Sequence, residues 1–137
     1  MRASGINKDY ILDFLMKSSS LKDLLGILSN ICENLNLDYL NPRIKHFRYF
    51  QFTFFGLLVK AKSLLEMMSF RAEFLKNNIS GFEKMYYKLV KLKKSMGQAY
   101  SLVHESKMQE GKNKIIEVNK EYSAISEDIK EMLKKVI

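Results

Sequence analysis

His46 and His104 are the only histidines, and Cys32 the only cysteine, in a chain of 137 residues. These three side chains are the first candidates for nucleophilic, acid–base or metal chemistry, and their spacing supports none of it. Val103-His104-Glu105-Ser106 sets a histidine beside a glutamate. No second histidine follows four residues on, so the zinc-binding helix of metalloproteases is not formed. Cys32 has no neighbours at zinc-ligand spacing. It falls on the apolar side of a helical pattern, where a thiol packs as a small hydrophobe. There is no glycine-rich phosphate loop. Gly97, within Gly-Gln-Ala-Tyr, sits inside a helical pattern and reads as a close helix–helix contact. Glu127 and Asp128 lie among charges of both signs and read as solvated surface. The sequence therefore predicts no catalytic set, no cofactor site and no metal site, and the expectation is a protein that is not an enzyme.

Binding chemistry is better represented. The formal charge is +8, with 23 Lys and Arg against 15 Asp and Glu. Residues 43–94 hold twelve of the former and three of the latter, so the basic excess is concentrated in the middle of the chain. Lys84, Lys88 and Lys91 recur at helical spacing with Lys93 and Lys94 beside them, which predicts an ammonium ridge able to neutralise phosphates. Lysines far outnumber arginines, which suits backbone contact and not bidentate reading of bases. Tyr86, Tyr87, Val90 and Tyr100 lie off the apolar seam of the same helix. They form a second stripe of the kind that a subunit buries against a partner, or that covers the two N-terminal helices.

The elements that must carry these residues are helices. Glycines number six and prolines one, too few for many turns. Apolar periodicity predicts five helices. The first covers about 7–17 and stops at Ser18-Ser19-Ser20. The second opens at Ser20, with Asp23 completing a capping box, and makes a helical hairpin with the first. The third starts at Asn41-Pro42, a cap followed by proline at the first helical position. It runs to Asn77-Asn78 on a seam of Phe47, Phe50, Phe54, Leu57, Ala61, Leu64, Met68, Arg71 and Leu75, broken only by Arg71. The fourth opens with a capping box at Ser80–Glu83 and carries Phe82, Met85, Leu89, Leu92, Met96, Ala99 and Val103. Gly111 is the expected break before the fifth, whose seam is Ile115, Val118, Tyr122, Ile125, Ile129, Met132 and Val136. The predicted fold is all-α: an antiparallel bundle of three long helices plus an N-terminal helical hairpin, as one domain over 1–137.

The stretch from Arg43 to Phe55, RIKHFRYFQFTFF, admits two readings. As a strand it resembles the first ribonucleoprotein motif of RNA-recognition domains, with Arg48, Phe50, Phe52 and Phe55 at matching offsets and Tyr49 in place of the motif's glycine. As a helix it continues the seam that follows, and its aromatics anchor a core. The rest of the chain lacks the strand–helix alternation of RNA-recognition domains, so the helical reading is preferred.

A single cysteine allows no internal disulfide and fits a reducing compartment. The first twenty residues are interrupted by Lys8, Asp9 and Asp13, unlike a signal peptide. The most apolar run, Phe50 to Val59, is half the roughly 20 residues of a membrane span. The expectation is a cytoplasmic protein without a transmembrane segment. Its expected role is that of a non-catalytic accessory or adaptor subunit binding itself or another protein. The alternative is a sequence-nonspecific nucleic-acid-binding bundle that holds the phosphate backbone with the lysine ridge.

Overall fold

In a computed structural model, which describes residues 6–137, the chain forms four helices and no strand among the described residues. They are α1 (Lys8–Asn34), α2 (Arg48–Asn78), α3 (Glu83–His104) and α4 (Met108–Lys134). Each packs on its sequence neighbours, and α4 closes the ring on α1. All four contacts are antiparallel. The Tyr10 hydroxyl at the start of α1 donates to the Arg71 carbonyl near the end of α2, at 3.2 Å. Phe55 near the start of α2 meets Tyr100 near the end of α3, ring centroids 6.2 Å apart. The expected all-α antiparallel bundle is therefore the observed fold. Among the described residues no helix is long and apolar enough to cross a membrane.

The N-terminal hairpin is instead one unbroken helix. Ile11, Phe14, Ser18, Leu21, Leu25, Leu28 and Cys32 are all buried, in an uninterrupted three–four alternation through the serines. Serine is a weak helix former that favours caps. Here one serine occupies a core position, and packing of the whole seam outweighs local preference. Asn7 caps α1, its side chain accepting from the Asp9 amide at 2.8 Å.

Asn41-Pro42 starts a turn and not a helix. The Asn41 side chain accepts from the Arg43 amide, and a 3₁₀ turn at Lys45–Phe47 precedes α2. Buried Gln51 in the first turns of α2 reaches back, donating to the Asn41 carbonyl at 2.7 Å and to that of Ile44. Tyr39 lies against Phe47 and Phe50, fastening the connection to α2.

Two further boundaries differ from the sequence reading. The capping box at Ser80–Glu83 is not made; α3 begins without a side-chain cap, after Gly81 at φ 87°. Gly111 lies inside α4, and the break falls before it, where Ser106 takes φ 66°. Gly111 is small because α3 is close: a Cβ there would stand 2.6 Å from Val103 Cγ2. Gly97, expected at a close contact, has nothing within 4 Å of where its Cβ would be.

Candidate interaction surfaces

The core face of α2 is Gln51, Phe54, Leu58, Ala61, Leu65, Met68, Ala72 and Leu75. Relative to the predicted seam, Phe54, Ala61, Met68 and Leu75 hold their places. Leu57 and Leu64 give way to their neighbours Leu58 and Leu65, Arg71 is half-buried, and Phe50 is exposed. Arg71 is no defect in the seam, because it turns to Asp13 on α1, which also holds Lys17 at 2.9 Å.

This phase leaves a second apolar stripe on the opposite side of α2. Tyr49, Phe52 and Phe70 are 79%, 84% and 79% exposed, and Val59, Met67 and Phe74 about half as much. At about 100° per residue these side chains fall within an arc of roughly 80°, directly opposite the buried face. Gly56 and Ser63, both exposed, fill the same arc at its centre. The aromatics of the Arg43–Phe55 stretch thus divide three ways. Phe54 enters the core; Phe47, Phe50 and Phe55 pack on neighbouring aromatics; Tyr49 and Phe52 face outward.

Of the four residues expected to form an interface on α3, only Tyr87 is exposed. Tyr86, Val90 and Tyr100 are half-buried. The Lys76 ammonium lies 4.5 Å from the Tyr86 ring centre. Tyr100 is stacked with His104 and has Lys62 5.9 Å from its ring centre. Val90 lines a shallow groove between α2 and α3 with Phe70, Tyr86 and Lys93.

Lys84, Lys91, Lys93 and Lys94 are exposed and Lys88 is half-buried. Among the described residues none of the five has a carboxylate within ion-pair distance. Lys84, Lys88 and Lys91 follow one line of α3, and Lys93 points the other way, to the α2 groove. Lys62 and Lys76 are occupied, the first with Glu66 at 3.0 Å and the second over the tyrosines.

His46 is exposed. Cys32 is buried, and burial pushes its thiol up to about 11, which leaves little thiolate at neutral pH. Among the described residues no three His, Cys, Asp or Glu side chains are grouped so as to hold a metal ion. No protein family, curated protein or solved structure matches the chain.

Proposed function

We propose that this protein is a non-catalytic helical subunit that works by protein–protein association, with the outer stripe of α2 as its principal contact surface. The observation that carries this reading is the exposure of Tyr49, Phe52 and Phe70 on one line of one helix, opposite its core face. Three nearly bare aromatic rings give back to water what burial of an aromatic side chain stabilises, about 1.5–3 kcal/mol each. Contiguous apolar surface of this kind is a mark of interaction sites, and aromatic anchors dominate the energetics of interfaces. Of the expected surface at Tyr86, Tyr87, Val90 and Tyr100, Tyr86 and Val90 contribute its edge, through the groove beside Phe70.

A second reading is favoured by one observation, the lysines Lys84, Lys88 and Lys91 along α3, which among the described residues have no carboxylate within ion-pair distance and suit a nucleic-acid backbone. Variants separate the two. Phe52→Asp with Phe70→Asp abolishes association under the first reading and leaves a folded chain. Reversal of the three lysine charges leaves association intact. The opposite pattern, with binding to RNA or DNA lost on lysine reversal, would replace the first reading by the second.

A further inference from the structure

Resting on the association reading, we infer that the partner of the α2 stripe is a second copy of this chain, packed antiparallel across a two-fold axis at the level of Ala61. A two-fold contact must be self-complementary, since every residue of one copy meets a residue of the same surface. The stripe meets that condition when reversed. Phe52 and Phe70 lie nine residues either side of Ala61. Tyr49 and Phe74 lie twelve and thirteen residues away, a mismatch of only about 1.5 Å along the helix. Reversal therefore sets Phe52 on Phe70 and Tyr49 on Phe74, each twice.

The centre also fits. Gly56 is five residues from Ala61 on one side and Met67 six on the other. Nothing stands within 4 Å of a Cβ at Gly56, so the helix has a notch there. Met67 is a 43% exposed knob that the second copy brings to that notch. Methionine suits such a gap because its chain is flexible and polarisable.

Charge selects the orientation. Arg48 and Glu73 are exposed, and among the described residues neither has an ion-pair partner. Both lie on the same flank of the stripe. In an antiparallel two-fold pair each flank meets its own counterpart, so Arg48 meets the second copy's Glu73 at both ends. A parallel two-fold pair would turn like flanks to opposite sides of the contact and keep Arg48 and Glu73 25 residues apart along the helices, so neither would meet its opposite charge. On the other flank Lys60, exposed and close to the axis, faces its own copy. That repulsion keeps the dimer reversible.

The area is adequate. The stripe spans roughly 38 Å. With aromatic side chains carrying about 150–250 Å² each, it offers on the order of 600–700 Å² per copy, near the roughly 800 Å² of a standard interface.

Sedimentation equilibrium tests the inference with four chains: wild type, Arg48→Glu, Glu73→Arg and the double swap. The wild type is expected to be a reversible dimer. Each single change weakens it by about three- to tenfold, and the double swap restores it. Phe70→Asp abolishes it with an unchanged circular dichroism spectrum, and Lys60→Ala tightens it. A wild type that stays monomeric, a dimer indifferent to Phe70→Asp, or a double swap as weak as the two singles combined would each overturn the inference. The association reading falls separately: it survives a monomeric wild type if Phe70→Asp abolishes binding to a different protein, and falls if no association responds to that change.

Discussion

The hydroxyls of Ser18 and Tyr122 lie 2.7 Å apart in the interior, joining α1 to α4. Tyr122 is fully buried, and its hydroxyl also lies 3.3 Å from the Ser18 carbonyl and 3.6 Å from Met68 Sδ on α2. A buried hydroxyl without a partner is costly, so each of these residues makes the other admissible in the core. Tyr122→Phe is expected to lower unfolding free energy by about 1 kcal/mol, and Ser18→Ala by a similar amount. The double variant should lose less than the sum, because each single change removes the same bond. Urea titration of all four chains measures that coupling. Strict additivity would mean that the hydroxyl pair contributes nothing.

Alkaline pH should destabilise the fold in two stages. Burial raises both the Cys32 thiol, to about 11, and the Tyr122 hydroxyl above their ordinary values of about 9 and 10. Above pH 9 the unfolded chain releases the Cys32 proton while the folded chain keeps it. The unfolded state then binds fewer protons, and stability falls as pH rises. Stability from this source is complete below pH 9 and is lost through pH 11, to the extent of about 2–3 kcal/mol. Tyr122 adds to the decline above pH 10. Unfolding titrations from pH 8 to 11 should show the slope, and Cys32→Ala should flatten its lower part.

Two glycines within helices should respond to alanine with opposite signs. Gly97→Ala meets open space and should stabilise by about 0.5–1 kcal/mol through helix propensity. Gly111→Ala places its methyl against Val103, a stiff side chain on α3, and should destabilise by about 1–3 kcal/mol. Val103→Ala should relieve that clash, so the pair of changes should cost less than their sum. Thermal melts of the four variants are sufficient. A stabilising Gly111→Ala would contradict the close approach of α3 and α4.

Neighbouring phenylalanines on α2 should differ sharply in their effect on stability. Phe54 is buried, and its change to Ala should cost about 3–5 kcal/mol. Phe52 and Phe70 are exposed, and changing either to Ser should move stability by no more than about 0.5 kcal/mol. Dilute protein is required, since self-association would add its own stabilisation. Comparable losses at all three positions would place the outer stripe in a core.

Much of the bundle is legible in the sequence because its seams are long. The α4 seam from Ile115 to Ile129 is buried as its spacing predicts. The α2 seam is harder to read, because Leu57-Leu58 and Leu64-Leu65 offer two equally apolar phases and only the neighbouring helices choose between them. The single helix α1 is hidden by Ser18, whose burial depends on a hydroxyl 104 residues away. Local caps mislead at Asn41 and Ser80, where loop geometry takes the residues for turns. The sequence points to a stripe off the α3 seam, of which only Tyr87 is exposed. The more exposed apolar stripe is carried by a second seven-residue repeat on α2, Tyr49, Gly56, Ser63 and Phe70, with Phe52 beside it. It is obscured because an aromatic residue reads as core on composition alone, and exposure is settled only when the opposite face is seen to be filled.

Light scattering during purification at low and high salt, with absorbance at 260 and 280 nm, separates association through α2 from nucleic-acid binding. The expected result is an assembly of more than one chain at both salts, free of nucleic acid, and a folded single chain for Phe70→Asp. A single chain carrying nucleic acid that high salt strips away, unchanged by Phe70→Asp, would contradict it and make Lys84, Lys88 and Lys91 the working surface.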